Sequence, residues 1–214
     1  MTSSRPGTPP IRCTECQQPM DSPIGCATCG ALGQLPAGNV DCFTLFGLPH
    51  RFEVDLKALH TRLLTLSRVV HPDVAGVATP EKREQALRLS SELNRAYETL
   101  RDPVARAEYL LHLAGGPSAS DDKSVPPELL SEVMTLREEI EEATTGGNGQ
   151  ALRSLKTDLA ARRESGMAQL AALVEGIETP GEAGEQGRKR LRVALNVIKY
   201  WSNLLERIPA AAPI

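Results

Sequence analysis

Apolar residues in this chain recur mostly at intervals of three or four positions, which is the period of an α-helix. Runs that alternate between apolar and polar residues, as expected of half-buried strands, are scarce, and aromatic residues make up only 3% of the composition. Proline and glycine interrupt the pattern at a few places and mark the ends of the helical segments. The sequence therefore predicts an all-α fold behind a small cysteine-rich head.

Two helices of similar length are predicted on either side of a short connection at 71–76. Asp55 is a favourable N-cap for the first, and Thr79 with Pro80 is a favourable start for the second. The apolar face of the first comprises Leu56, Leu59, Leu63, Leu66 and Val70, and that of the second comprises Ala86, Leu89, Leu93, Ala96 and Leu100. Two helices joined so closely should pack antiparallel as a helical hairpin. A third helix is expected to start at Asp102 and Pro103.

The tail carries three leucine-patterned segments, at about 127–143, 150–177 and 181–208. Short links between amphipathic helices predict an antiparallel three-helix bundle. The polar, proline-rich stretch before them is typical of a linker. The domains predicted are a four-cysteine head at 1–38, a hairpin domain at 39–116, a linker at 117–127 and a C-terminal three-helix domain at 128–214.

Global charge and hydropathy set only loose limits on the class of protein. The net charge of −3 provides no field that would gather nucleic acid or an anionic membrane. No apolar run approaches the roughly 20 residues that cross a bilayer, and the first residues lack the apolar core of a secretory signal. A soluble cytoplasmic protein is expected. The mitochondrial matrix is the alternative, because the start has Ser, Thr and Arg without acidic residues, although its prolines oppose an amphipathic helix.

Four of the five cysteines form two CxxC pairs, Cys13 with Cys16 and Cys26 with Cys29, separated by nine residues. Each pair lets two thiolates bind one ion, and two pairs at this spacing predict a tetrahedral Zn²⁺ site in a zinc knuckle or ribbon. A redox dithiol, a rubredoxin-like iron site and an iron–sulfur ligand set remain alternatives. Cys42, beside Phe43 in an apolar context, is expected to be a buried small residue.

The tripeptide His71-Pro72-Asp73 stands at the predicted tip of the hairpin. Alone it would indicate only a proline-stiffened turn. Here it follows a basic amphipathic helix, and an aromatic segment, DCFTLFGLP, lies about thirty residues upstream. These motifs, together with LNRAYETLRDPVARAEYLL, resemble the HscB/Jac branch of J-domain co-chaperones, which serves iron–sulfur cluster assembly. The resemblance covers roughly residues 40 to 208.

The resemblance implies a site for a partner ATPase of the HscA/DnaK type. His71, Pro72 and Asp73 would engage the ATPase, and Lys57, Arg62 and Arg68 would form a charged docking face. Hydrolysis would take place in the partner, so the chain itself is not expected to be an enzyme. Without the resemblance, the three cations would be interpreted as a solvated helix face.

A second apolar row runs along two of the tail helices, with Leu130 and Met134 on one and Val193, Val197, Tyr200 and Leu204 on the other. Such rows indicate either deeper burial or a partner-binding patch. The resemblance implies that an IscU-type scaffold protein binds here. The matching positions are Leu130, Met134, Arg137, Glu138 and Tyr200, although Ser131 and Thr135 depart from the pattern of bacterial relatives.

The predicted function is therefore that of a co-chaperone that delivers a scaffold to a chaperone ATPase. A general protein-folding J protein is the near alternative, but the chain lacks the glycine-rich or β-rich regions usual in that class. A thiol oxidoreductase using the CxxC pairs is an alternative of another class. Nucleic-acid binding through the head is not expected, since Arg12 is the one basic residue between 12 and 35. A homodimer formed through the head is a further alternative.

Overall fold

The computed structural model describes residues 11–34, 40–71 and 79–209. The chain forms two compact units, Met1–Asp102 and Pro103–Ile214, which are described separately here. The predominance of helix confirms the predicted all-α fold with a small cysteine-rich head. The elements are β1 (Ile11–Arg12), β2 (Pro19–Met20), α1 (Cys42–Leu45), α2 (Leu56–Val70), α3 (Pro80–Arg101), α4 (Pro103–Leu113), α5 (Pro127–Thr145), α6 (Gly149–Ala168), α7 (Leu170–Glu175) and α8 (Glu182–Arg207).

The first unit contains the predicted helical hairpin, in which α2 packs against α3 and the short α1 also contacts α3. Both predicted helix starts are confirmed. The carboxylate of Asp55 accepts hydrogen bonds from the backbone N–H groups of Lys57 and Ala58, and the hydroxyl of Thr79 accepts one from that of Lys82. These caps satisfy N–H groups that have no partner inside the helix.

The apolar faces of the hairpin largely agree with the prediction. All five predicted positions of α3 are buried, as is Cys42 in α1. On α2, Leu59, Leu66 and Val70 are buried, but Leu56 is 48% exposed, so the prediction was wrong at that position. Leu56 is the first residue of the helix, and side chains in a helix lean towards its N-terminus, so this one projects past the end of the packed surface.

The head belongs to the same compact unit as the hairpin. Its strands β1 and β2 pair antiparallel, with Ile11 opposite Met20, and a single bridge joins Gly25 to Leu32. Between these two small loops runs a continuous buried segment, Ser22–Cys26. Residues 11–34 and their two short strands are too few to enclose an independent apolar core.

The second unit contains the predicted antiparallel three-helix bundle, formed by α5, α6 and α8. Its buried core consists of Leu129, Val133, Leu136, Ile140, Ala143, Leu152, Leu159, Trp201, Leu204 and Ile208. The segment predicted as one helix at 150–177 divides into α6 and α7 at Gln169. The helix α4 packs against α7 and α8 and so lies in this unit, whereas the sequence placed it in the domain at 39–116.

The segment at 117–127, predicted as a linker, is held against the bundle. The side-chain amide of Asn196 in α8 donates hydrogen bonds to the carbonyls of Asp122 and Ser124, at 3.1 and 3.0 Å. The hydroxyl of Ser118 donates to the carboxylate of Asp121 at 2.7 Å, which closes a turn. These bonds fix the approach of the chain to α5.

Arg192 is a fully buried arginine in α8 that the sequence patterns did not reveal. Its guanidinium donates two hydrogen bonds to the carboxylate oxygens of Glu108 in α4, both at 2.5 Å. Its Nε donates to the side-chain oxygen of Asn196 at 3.0 Å. Because Asn196 holds the 117–127 segment, one polar network joins α4, that segment and α8.

We expect Glu108→Ala to lower the free energy of unfolding of the second unit by about 3 kcal/mol, because it leaves a buried guanidinium without its counter-charge. Urea unfolding followed by the fluorescence of Trp201, the single tryptophan, measures this change. The control is Glu185→Ala, which removes an exposed pair with Lys189 and should cost about 0.5 kcal/mol or less. Equal effects of the two substitutions would contradict the role assigned to Arg192.

Candidate metal centre and binding surfaces

The four head cysteines come together at one point. Their sulfur atoms all lie within 4.8 Å of one another. The Sγ atoms of Cys13 and Cys29 are 3.6 Å apart, as are those of Cys16 and Cys26. In a tetrahedral site with Zn–S bonds of 2.3 Å, sulfurs are separated by about 3.8 Å. The cysteines therefore fit a single tetrahedral ion such as the one predicted from their spacing.

The two CxxC loops have the same backbone construction. The N–H of Cys13 donates to the carbonyl of Gln18, and that of Cys26 donates to the carbonyl of Ala31, both at 2.9 Å. In each loop the residue four positions after the first cysteine has a positive φ, 61° at Gln17 and 75° at Gly30. The repeated turn aims both cysteines of a pair at the same point, so the site is organised by backbone hydrogen bonds as well as by the thiols.

The four thiols differ in acidity in the absence of an ion. The N–H of Cys29 is the main cause that lowers the pKa of Cys26, to about 6. The N–H of Cys16 is the main cause that lowers the pKa of Cys13. At Cys29 the N–H of Ala31 lowers the pKa, but the neighbouring sulfurs and burial outweigh it and raise the pKa to about 12. At Cys16 the N–H of Gln18 lowers the pKa, but burial and the sulfurs of Cys26 and Cys13 outweigh it and raise the pKa. In each pair, therefore, the first cysteine has a lowered pKa and the second a raised pKa.

His71 stands at the end of α2 with its side chain exposed. Its backbone is extended, with φ −68° and ψ 128°, as expected of a residue that precedes proline. Pro72 and Asp73, the other two predicted residues of this motif, lie outside the described residues. Lys57 and Arg68 are exposed on α2.

Arg62 differs from the other two predicted cations. Its guanidinium donates to the backbone carbonyls of Phe46 and Gly47, at 2.5 and 3.0 Å, and its side chain is half-buried. It therefore ties α2 to the end of α1. This structural task was not evident from the sequence, because the carbonyls that it binds belong to another element.

The predicted scaffold-binding positions of the tail are largely on the surface. On α5, Leu130 and Met134 are 47% and 63% exposed, and Arg137 and Glu138 are exposed one turn further along. On α8, Tyr200 is half-buried and packs against the bundle core. Leu130 and Met134 are not core residues, and they form a small apolar patch on an otherwise polar face of α5.

Comparison with known proteins agrees with this architecture. A family described as "HSCB C-terminal oligomerisation domain" matches residues 125–209. The chain is 38% identical over 135 residues to "Co-chaperone protein HscB homolog" of Ralstonia nicotianae, an alignment covering 63% of this chain and 77% of that one. The chain belongs to the HscB family of co-chaperones. A homologue from Paraburkholderia xenovorans is 37% identical, with 67% of this chain and 84% of the relative covered.

Solved structures of this family have the same fold. The crystal structure of human co-chaperone protein HscB superposes with a TM-score of 0.71 at 26% identity, covering 92% of this chain and 96% of the human one. Chaperone HscB from Vibrio cholerae gives a TM-score of 0.65 at 30% identity, covering 79% and 95%. Membership of the family confirms the resemblance drawn from the sequence motifs.

Metal binding to the head should be strongly pH-dependent. At about pH 8 the thiols of Cys16 and Cys29, whose pKa values are raised, hold protons that an ion must displace, so at least about two protons should be released per ion. The affinity should then fall about a hundredfold or more for each pH unit of acidification. Calorimetry in buffers of different ionisation enthalpy counts the protons. Release of fewer than one proton per ion would contradict the assignment of these ligands.

Proposed function

We propose that this chain stimulates the ATPase of an HscA/DnaK-type chaperone and delivers to it an IscU-type scaffold protein for iron–sulfur cluster transfer. The observation that carries the proposal is the exposed His71, at the start of a His-Pro-Asp motif in a member of the HscB co-chaperone family. In this proposal the chain performs no hydrolysis of its own. It acts by binding two partners at two different surfaces.

The chaperone-binding surface is proposed to comprise His71, Pro72 and Asp73 with the basic face of α2. Exposed cations accelerate the encounter with an acidic partner surface, and a short polar motif at the helix end then provides specific hydrogen bonds. Lys57 and Arg68 are exposed and suited to this task. Arg62 already bonds two carbonyls of its own chain, so its contribution is to hold α2 in place.

The scaffold-binding surface is proposed to comprise Leu130, Met134, Arg137, Glu138 and Tyr200. Exposed apolar side chains bordered by charge are typical of protein interfaces, in which a few large anchors provide most of the binding energy. Leu130 and Met134 are one helical turn apart and well exposed, so they can enter a partner surface without disturbing the bundle core.

The ion held by the head is proposed to be Zn²⁺, bound by Cys13, Cys16, Cys26 and Cys29. Four converging cysteine sulfurs suit zinc and also iron, and metal analysis of the purified chain distinguishes the two metals. About one zinc per chain with four unreactive thiols would exclude the thiol oxidoreductase.

We propose the cytoplasm as the location of the protein, with the mitochondrial matrix as the alternative. Within 11–34, 40–71 and 79–209, none of the helices has the length and apolar composition needed to cross a lipid bilayer.

His71→Gln should abolish the stimulation of the partner ATPase while the helical circular dichroism stays unchanged, because the substitution removes an exposed imidazole. The measurement is the steady-state rate of ATP hydrolysis by an HscA/DnaK-type chaperone with increasing co-chaperone. His112→Gln, at an exposed position of α4, is the matched control and should stimulate normally. Full stimulation by the His71 variant would contradict the proposed mechanism.

The double substitution Leu130→Ala and Met134→Ala should weaken scaffold binding about tenfold or more, since two apolar anchors are lost. Calorimetry with an IscU-type scaffold measures the Kd. Because both residues are exposed, the melting temperature should hardly change. Leu113→Ala, at another exposed leucine of the same unit, is the control. An unchanged Kd in the double variant would place the scaffold elsewhere.

A further inference from the structure

The head is attached to the hairpin through one segment of its own chain. Ser22–Cys26 is buried throughout, and the side chain of Ile24 is fully inaccessible. By contrast, residues 27–30 of the second CxxC loop are exposed. The head therefore has a buried side that faces the hairpin and an outer side that faces solvent.

The head contacts α1, α2 and α3. At the end of α1, the hydroxyl of Ser22 donates to the carbonyl of Leu45 at 2.5 Å. At the end of α2, Gly25 lies so close to Val69 that a Cβ on the glycine would stand 2.6 Å from Val69 Cγ1. Near the start of α3, the amide of Gln85 donates to the carbonyl of Gly33 at 2.8 Å.

Two of these contacts lie near the end of the hairpin at which α2 and α3 are joined in sequence. Val69 is two residues before His71, which is the C-cap of α2. Gln85 is six residues after Thr79, which is the N-cap of α3. The head thus connects the end of one hairpin helix to the start of the other, independently of the residues that join them in sequence. Such a second connection restrains the separation of the two helices.

The buried segment also carries a metal ligand. Cys26 is the last residue of Ser22–Cys26, and its N–H and carbonyl both take part in the second CxxC loop. An ion that fixes Cys26 therefore fixes the backbone that lies against α2. We propose that the metal-loaded head is a clamp across the joined end of the hairpin, and that metal binding stabilises the last turn of α2 and the first turns of α3 as well as the head itself.

The physical basis of the clamp is linkage between binding and folding. An ion that binds only the folded head stabilises every element that must open together with the head. If the head and the hairpin ends open as one cooperative unit, metal should slow the opening of both. If the head were an independent module, metal would slow the opening of the head alone. This inference rests on the metal binding proposed above and not on the proposed partners.

Amide hydrogen exchange of the full chain, with Zn²⁺ or after chelation, distinguishes these two cases. With free Zn²⁺ a hundredfold above its Kd, exchange at the last turn of α2 and the first two turns of α3 should slow by up to about a hundredfold. Exchange in α5 and α8 of the second unit should be unchanged. The stoichiometry of bound zinc is measured on the same samples.

The double variant Ser22→Ala and Gln85→Ala removes both side-chain hydrogen bonds to the hairpin and leaves the four thiols in place. It should still bind one ion but lose most of the metal-dependent protection in α2 and α3. Thr28→Ala with Glu84→Ala, at exposed positions of the same two elements, is the control and should behave as the unmodified chain.

Two results would overturn the clamp. One is bound zinc with unchanged exchange in α2 and α3, which would leave the metal site itself intact. The other is equal slowing in the second unit, which would show that the effect is not confined to the hairpin ends. Absence of any bound metal would overturn both the metal site and the clamp, and the ATPase assay with His71→Gln is independent of all three outcomes.

Discussion

The fold of the head depends on one physical constraint, which is that so few residues cannot bury an apolar core of their own. Two supports replace that core: the four sulfurs that converge within 4.8 Å, and the buried segment Ser22–Cys26 that lies against the hairpin. Neither support is independent of the other, because Cys26 belongs to both. The consequence reaches beyond the head, since the hairpin ends that it contacts include the residues next to His71.

The second unit meets a different constraint, the burial of a charged guanidinium. Arg192 is paired with both carboxylate oxygens of Glu108 and is bonded to Asn196, so the cost of removing it from water is largely offset. The pairing also has an organising effect. It requires α4 and α8 to meet in one register, and through Asn196 it fixes the chain that leads into α5. Within the second unit, the segment before α5 is therefore bonded to α8.

Local physical rules made most of the fold predictable, because caps and helical periodicity depend on residues close in sequence. Asp55, Thr79 and Pro80 began helices as expected, and the CxxC spacing predicted a site that the structure brings together. What the sequence did not reveal depends on contacts between distant positions. Arg192 and Glu108 are 84 residues apart, and Gln85 and Gly33 are 52 apart. No spacing rule connects such pairs, so Arg192 was overlooked and the attachment of the head to the hairpin was not foreseen.

Contacts between distant positions, and not local periodicity, also decide which apolar row of a bundle helix is buried and which is exposed. In α6, the guanidinium carbon of Arg162 lies 5.3 Å from the centre of the Trp201 ring. The same guanidinium pairs with Glu132 and with Asp158, so charged side chains cover this edge of the bundle core. Leu130 and Met134 follow the same helical period on α5, yet they remain about half exposed or more. A helix that satisfies its bundle with one apolar row has no folding reason to carry a second. The exposed pair Leu130 and Met134 therefore supports the scaffold-binding surface proposed above.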